Sequence, residues 1–234
     1  MEKTAGADEP GAPPRQYSKS RTEIAPLLPG GADTALEIGC GGGETMAWLR
    51  ARQPLRYTAA VELSPEDGLR ARSVFDDVEI SDIASARMAF AVERFDLILA
   101  LDVLEHLTDP DEALRVLRTR LAPGGTIVIS LPNVAHFDVS IPLLFRGRWE
   151  YGDEGLLDRT HLRFFTEATA VRMIEACGLR VEKLIYNQRY PSLFHPFGLR
   201  SQKWRWYSHR ILRHILIWPP HLFKYQFLIA ARLP

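Results

Sequence analysis

The 234 residues are 46% hydrophobic and 25% charged, and 29 basic side chains balance 29 acidic ones. This composition is that of a globular protein with one substantial core, and it argues against two full domains. Two cysteines far apart in sequence, Cys40 and Cys177, exclude a disulfide framework and a zinc-ligand spacing. No apolar run suits a signal peptide or a membrane span, so we expect a cytoplasmic protein.

The N-terminal half begins with a Pro-, Gly- and Ala-rich stretch over residues 1–14, which predicts a disordered tail. One domain over 15–234 is expected to follow, opening with a short helix from about Tyr17 to Leu28. Strands and helices then alternate, in the order TALEIG, GETMAWLRAR, RYTAAVEL and a helix that starts at Ser64.

The second half continues the alternation. VEISDI and FDLILALDV are strands, and Asp109 is the N-cap of a helix that Pro123-Gly124-Gly125 ends. TIVISLP, a helix with Thr166 as N-cap, a strand at about 179–186 and the closing strand FKYQFLIAARL follow. Apolar strands that alternate with helices predict an α/β fold, a doubly wound parallel sheet with helices on both faces.

The loop after the first strand contains four glycines, and ligands of such sheets bind beyond the C-terminal strand ends. A dinucleotide-binding loop is one interpretation, which would make the chain an NAD-dependent oxidoreductase. However, Glu44 occupies the third glycine position of that motif, and a pyrophosphate is poorly matched to Glu37 and Glu44. Carboxylates suit a ligand with an ammonium group and a sulfonium, which favours S-adenosylmethionine.

Two further acidic residues end the next strands. Glu62 lies about twenty residues after the loop, where a carboxylate can accept both ribose hydroxyls of an adenosine. Asp82 can accept the adenine amino group while Ile83 packs on the ring. A helix-flanking Glu62 and a turn-forming Asp82 are the structural alternatives.

Taken together, these motifs resemble the class I S-adenosylmethionine-dependent methyltransferase superfamily, and more closely the bacterial methyltransferases whose fourth strand ends in VLEHL. The segments that carry the resemblance span about 34–187, and they are LEIGCGGG, VELSP, SDI, FDLILALDVLEHL, LAPGGTIVISLPN and DRTHLRFFT. The ordered set is far more specific than the glycine loop alone.

The resemblance implies a Rossmann-like sheet of seven strands whose last strand is antiparallel. It also implies a cofactor site for S-adenosylmethionine at the strand ends, with Tyr17 covering the cofactor from the N-terminal helix. The predicted cofactor-binding residues are Tyr17, Glu37, Gly39, Cys40, Gly41, Gly43, Glu62, Leu63, Asp82, Ile83, Leu101 and Asp102.

Methyl transfer to a hydroxyl requires a general base, and histidine is the usual group near neutral pH. His106, His136 and His161 follow predicted active-face elements. We expect His161 to be the base, with His106 as a second candidate and Arg159 or Arg163 orienting the substrate. A structural network within the loop is the alternative, and no metal is predicted.

The C-terminal segment is strongly basic, because the 52 residues after Glu182 contain nine Lys or Arg and no acidic residue. Residues 191–221 form a predicted helical insertion, in which an apolar stripe flanked by basic residues over 200–218 is typical of contact with an anionic membrane. Packing on the sheet, a second subunit and a solvated face are alternatives. The pattern disfavours single-stranded nucleic acid.

The sequence therefore predicts methyl transfer to a small-molecule or lipid-linked acceptor, with a sugar or secondary-metabolite hydroxyl as the leading candidate. Polysaccharide biosynthesis is the process that such an acceptor suggests. The alternatives are a non-catalytic protein that binds S-adenosylmethionine and the oxidoreductase considered above.

Overall fold

The structure is a computed structural model and describes residues 19–189 and 220–234. The predicted tail, Tyr17 and nearly all of the predicted insertion over 191–221 lie outside the described residues. The division into tail, domain and insertion therefore stays a prediction. Within the described ranges, no helix combines the length and the apolar character needed to cross a membrane.

A single sheet of seven strands organises the described chain. The strands are β1 (Thr34–Ile38), β2 (Tyr57–Glu62), β3 (Asp77–Ile80), β4 (Phe95–Leu101), β5 (Leu121–Pro132), β6 (Arg180–Gln188) and β7 (Lys224–Arg232). Their order in the sheet is β3-β2-β1-β4-β5-β7-β6. The first five strands pair in parallel, and β7 pairs antiparallel with both β5 and β6. The predicted Rossmann-like sheet with its antiparallel last strand is confirmed.

The strands are buried on both faces, as parallel strands covered by helices must be. Along β4, Leu97 packs into the core on one face of the sheet, and Ile98 packs into the core on the other. Both side chains are fully buried. The near-continuous apolar run in the sequence reflects this two-sided burial.

Among the described residues, five α-helices lie between the strands: α1 (Glu44–Arg50), α2 (Pro65–Ala71), α3 (Pro110–Thr119), α4 (Phe137–Arg146) and α5 (Glu167–Ala176). The predicted caps are present. The side chain of Asp109 accepts from the Glu112 N–H at 2.9 Å, and Thr166 caps α5 through a reciprocal capping box with Thr169.

One element at the N-terminal side differs from the prediction. The helix predicted from Tyr17 to Leu28 is, within the described residues, a 3₁₀ helix over Thr22–Leu27. The chain is held non-helical at Arg21, whose N–H donates to Thr45 Oγ1 at 3.2 Å, and Pro26 has no N–H to continue the helix.

The third strand and the segment after β5 also differ. The strand predicted over VEISDI ends at Ile80, because the Asp82 side chain accepts from the Ala84 N–H at 2.9 Å and closes a turn. Helix α4 is not predicted by the sequence analysis, and Pro142 lies inside it. Its N-cap is His136, whose Nδ1 accepts from the Asp138 N–H.

Candidate active site

The glycine loop turns sharply out of β1 into α1. Gly39, Gly41 and Gly43 have φ values of 65°, 54° and 91°, in the left-handed region that glycine adopts without steric cost. A Cβ on Gly39 would lie 2.6 Å from Val103 Cγ2, so no larger residue fits at that position. The loop leaves bare backbone at the C-terminal edge of the sheet.

Glu62 holds this loop against the end of β2. Its Oε2 accepts from the Gly41 N–H at 2.8 Å, and its Oε1 accepts from the Ser64 N–H at 2.9 Å. Each carboxylate oxygen can accept a second hydrogen bond, so two hydroxyl donors can still be bound. Leu63, the next residue, is 68% exposed beside it.

Asp82 and Ile83 lie beyond the end of β3. Asp82 is exposed and forms the turn that was its structural alternative, whereas Ile83 is buried in the core. One oxygen of the Asp82 carboxylate bonds to the Ala84 N–H, and the side chain remains open to solvent.

A cavity of about 350 Å³ opens beyond the C-terminal ends of β1 and β4. The segment before the first 3₁₀ helix, the glycine loop, the end of β4, the loop before α5 and β7 form its walls. Seven predicted site residues line it: Glu37, Gly39, Cys40, Leu101, Asp102, His106 and His161. The other described ones lie outside its walls: Gly41, Gly43, Glu62, Leu63, Asp82, Ile83 and Arg159.

Glu37 is a buried carboxyl group on the cavity wall. It is 3% exposed, and its Oε2 has no hydrogen-bond partner. Burial, followed by the negative charges of Glu44 and Glu62, raises the pKa of Glu37 to about 8, although the charge of Arg21 lowers it. An ammonium group placed here would bond to the free oxygen and neutralise the charge.

Cys40 adds no nucleophile to the cavity. Burial raises the pKa of its thiol, and the carboxylates of Glu37 and Glu62 raise it further. The thiol therefore stays protonated and acts as a small apolar wall residue.

Arg21 was not predicted from the sequence, yet it is the central cation of the cavity. Its guanidinium bonds to Asp102, to Glu23 Oε1 at 2.5 Å and to Gln226 Oε1 at 2.8 Å. Burial lowers the pKa of Arg21, but Asp102 and Glu23 raise it more, so the charge is retained. A carboxylate ligand would find both a cation and a planar donor set here.

Asp102 joins the ends of three strands. Its backbone has φ of 57°, and its N–H donates to Ser130 Oγ at 2.8 Å. Ser130 Oγ donates in return to Asp102 Oδ1 at 2.7 Å, and Gln226 Nε2 donates to the same oxygen. This network fixes the Asp102 side chain where the C-terminal ends of β4 and β5 meet the start of β7.

His106 and His161 also line the cavity and contact each other edge to face, with ring centroids 4.8 Å apart. The Nδ1 of His106 lies 3.2 Å from the Thr160 carbonyl, and the Nδ1 of His161 lies 3.2 Å from the Leu156 carbonyl. Since a carbonyl only accepts, both Nδ1 atoms carry the proton in the neutral ring and each Nε2 has a free lone pair. Burial, followed by the charge of His106, lowers the pKa of His161.

Glu105 was also not predicted, although it lies within the VLEHL motif. It is 1% exposed, and its Oε2 has no hydrogen-bond partner. Burial, and then the charge of Asp102, raises its pKa well above the usual range. Ligand atoms of Glu105, His106 and His161 all lie within 4.8 Å of one another, a grouping that can hold a metal ion.

The predicted arginines and the third histidine lie elsewhere. Arg159 is 68% exposed and pairs with Asp153 at 2.9 Å, so it does not reach the cavity. Arg163 donates to the Thr108 carbonyl. His136 is fully buried as the N-cap of α4, with Nε2 3.2 Å from the Arg189 carbonyl, and burial lowers its pKa. In this conformation none of the three faces a substrate in the cavity.

Comparisons with known proteins agree with this fold. A methyltransferase-domain family model matches residues 12–184. A ubiquinone biosynthesis O-methyltransferase of Cereibacter sphaeroides is 37% identical over 101 residues, covering 42% of this chain and 40% of that protein. One of Xanthomonas axonopodis pv. citri is 33% identical over 137 residues, covering 54% and 55%. The chain thus spans about half or less of the length of these relatives.

Solved structures show the same architecture. An S-adenosylmethionine-dependent methyltransferase from Archaeoglobus fulgidus superposes with a TM-score of 0.61 at 20% identity, covering 90% of each chain. The fold and the glycine-loop cavity define a class I methyltransferase domain. The chain belongs to the methyltransferase-domain family, whose methyl donor is S-adenosylmethionine.

Proposed function

We propose that this protein transfers the methyl group of S-adenosylmethionine to a hydroxyl oxygen of a small-molecule or lipid-linked acceptor. The observation that carries the proposal is the cavity itself, which is lined both by the buried, unpartnered carboxyl of Glu37 and by the imidazoles of His106 and His161. The relatives named as O-methyltransferases support oxygen as the accepting atom.

The chain offers groups for each part of the cofactor. Glu37 and Arg21 match the ammonium and the carboxylate of its methionine part, and Glu62 retains acceptor sites for two ribose hydroxyls. Gly39 allows close approach of the ligand to the backbone. We infer that Leu101 and Asp102 border the methyl group from the end of β4.

When bound, S-adenosylmethionine supplies an electrophilic methyl group on a sulfonium. Transfer to the acceptor would form a C–O bond while the C–S bond breaks, and the electron pair of the broken bond would stay on sulfur as a thioether. The hydroxyl proton passes to Nε2 of His161, which is oriented by the Leu156 carbonyl. The protein aligns the two reactants and excludes water.

Turnover with a labelled methyl donor tests the proposal. Extracts are incubated with the purified protein and S-adenosylmethionine that carries a deuterated methyl group, and the products are searched by mass spectrometry for labelled methyl ethers. His161→Gln is expected to lose turnover by about 100-fold or more, the lower end of the range for a general base being about 100-fold, with unchanged affinity for S-adenosylhomocysteine. Labelled products only at nitrogen or carbon would contradict the proposal.

We further propose peripheral contact with an anionic membrane, which would suit a lipid-linked acceptor. Leu144 and Phe145 at the end of α4 are 77% and 75% exposed, next to Arg146. The basic stretch over 200–218, outside the described residues, has the composition of an interfacial segment.

Vesicle co-sedimentation tests this contact. Binding to vesicles with anionic lipid is expected at low salt and should weaken at high salt. The double substitution of Leu144 and Phe145 by Glu should reduce binding, whereas Leu69→Glu, which changes a 58% exposed leucine on α2, should not. Wild-type protein that stays in the supernatant at low salt would contradict the proposal.

A further inference from the structure

Three potential ligand atoms lie close together in the lining of the cavity. They belong to Glu105, His106 and His161, and all lie within 4.8 Å of one another. The residues come from two separate segments, the 3₁₀ helix after β4 and the loop before α5. The main chain joins these segments, because the Leu162 and Arg163 N–H groups donate to the Glu105 carbonyl at 2.8 and 3.0 Å.

Both imidazoles are oriented as metal-binding histidines usually are. A ligating histidine donates its other ring N–H to a carbonyl or a carboxylate, which fixes the tautomer and the ring plane. His106 contacts the Thr160 carbonyl and His161 the Leu156 carbonyl in this way. Thr160 is itself anchored, since its hydroxyl donates to Asp158 Oδ1 at 2.6 Å.

The carboxyl group of Glu105 gives an independent indication. Its Oε2 is buried on the cavity wall without a hydrogen-bond partner, and a buried polar atom left unpaired costs about 1–3 kcal/mol. The neighbouring Nε2 atoms offer lone pairs. A divalent cation that displaces the carboxyl proton of Glu105 would be bound by one carboxylate oxygen and two imidazole nitrogens.

We propose that Glu105, His106 and His161 bind a divalent cation of the class that imidazole and carboxylate ligands select together, such as Zn²⁺ or Mn²⁺. Ligand atoms around such an ion, at about 2.1 Å from it, are separated by about 3.4 Å in tetrahedral geometry. Side-chain rotations that move each ligand atom of Glu105, His106 and His161 by roughly an ångström would bring them to that spacing. Three protein ligands leave at least one position open toward the cavity.

The open position would be taken by water or by the acceptor oxygen. A coordinated hydroxyl loses its proton near neutral pH, so the cation would take over the deprotonation that the proposed function assigns to His161. His161 would then be a ligand. This catalytic consequence rests on the proposed function, whereas the binding of the cation does not.

Calorimetric titration of the full chain with Zn²⁺, after treatment with a chelator and dialysis, tests the site. The wild type is expected to show a site of micromolar or tighter affinity. Glu105→Gln and His161→Gln should each weaken it by more than the roughly 10- to 100-fold that loss of an outer-shell partner costs. The exposed His221, changed to Gln, serves as the matched control and should leave the site intact.

Thermal unfolding of each variant verifies that it is folded before titration. If Glu105→Gln does not fold, the affinity of His161→Gln for Zn²⁺ still tests the site, because His161 is one of its three proposed ligands. Wild-type protein without saturable binding, or binding that both variants retain, overturns the proposal.

A chelator separates this inference from the proposed function. Methylation that a chelator abolishes and Zn²⁺ or Mn²⁺ restores supports the cation site. Turnover that a chelator leaves unchanged overturns the catalytic role of the cation and leaves His161 as the base. Binding of S-adenosylhomocysteine should be insensitive to the chelator in either case.

Discussion

The surroundings of Glu37 give its carboxyl group the properties that a binding site for an ammonium group requires. Its carboxyl group is buried, has one oxygen without a partner and has a pKa of about 8. At neutral pH it carries a proton, because burial disfavours the ionised form and because ionisation would place a third negative charge beside Glu44 and Glu62. A ligand with an ammonium group would relieve this conflict.

The pH dependence of stability provides a test. The folded pKa is above the ordinary value of 4.5, so the contribution of Glu37 is fully present below pH 4.5 and is lost as pH rises toward 8. Glu37→Gln removes this dependence. In urea unfolding without cofactor, the wild type is expected to lose up to about 1.4 kcal/mol per pH unit relative to the variant. Parallel curves between pH 5 and 8 would refute the raised pKa.

Gly39 and Gly124 form a matched pair for testing the loop. Both have positive φ, but a Cβ on Gly39 would meet Val103 at 2.6 Å, whereas one on Gly124 would meet nothing within 4 Å. Gly124→Ala should cost only the left-handed backbone penalty of about 1–2 kcal/mol, and Gly39→Ala should cost more. Chemical denaturation measures both.

A second substitution separates the two causes at Gly39. If the contact with Val103 is responsible for the excess, Val103→Ala should recover part of the loss in the Gly39→Ala background. Equal costs for the two glycine substitutions would contradict the close approach seen in the loop.

At the residue scale, the sequence predicted those positions whose role follows from strand order. Glu37, Gly39 and Asp102 line the cavity because they end strands that neighbour each other. Arg21 could not be found this way, because its contact with Gln226 joins residues 205 positions apart. Glu105 precedes the predicted His106, but its burial becomes visible only in the folded loop.

At the scale of elements, the ends of β4, β5 and β7 are joined by one hydrogen-bond network. Ser130 on β5 accepts from the Asp102 N–H and donates to its carboxylate, and Gln226 on β7 donates to the same group. Because β7 runs antiparallel to β5, its first residues lie beside the C-terminal ends of the parallel strands, where β4 also ends. The antiparallel strand thereby contributes to the cavity.

Ser130→Ala tests the importance of this network. The substitution leaves the Asp102 N–H without its partner and removes one of the two hydrogen bonds to Asp102 Oδ1, at a serine that is fully buried, and should cost about 1–3 kcal/mol in urea unfolding. Ser73→Ala, at an exposed serine after α2, should stay within about 0.5 kcal/mol of the wild type. A Ser130 variant as stable as the Ser73 control would show that the network is dispensable.

The elements themselves were predictable where periodicity and caps agree. Strand β4 is apolar except for Asp96, and helix α3 has Asp109 as its cap, and both occur as expected. Helix α4 was not predicted, because Pro142 interrupts it and its exposed end is apolar rather than polar. The N-terminal helix was predicted too long, since the tertiary bonds of Arg21 override local propensity.

At the scale of the whole molecule, the order of the strands brings the polar residues of the cavity together beyond the C-terminal ends of the central strands. The strands β1 and β4 lie side by side at the centre of the sheet, and the segments that follow them bring Gly39 and Cys40, and Asp102, Glu105 and His106, respectively, to the cavity. The doubly wound fold was predictable from alternation alone. The grouping of Glu105, His106 and His161 was not predictable in this way, since it depends on how the loop over 155–161 folds back onto the end of β4.

Calorimetric titration with S-adenosylhomocysteine tests the central claim, that the strand-end cavity binds the methyl donor. The wild type should bind one equivalent, and Glu62→Gln should bind at least about tenfold more weakly, a loss of roughly 1.4 kcal/mol. Arg56→Gln, at an 81% exposed arginine before β2, should bind as the wild type does. Absence of binding to S-adenosylhomocysteine, together with saturable binding of NADH, would contradict the account.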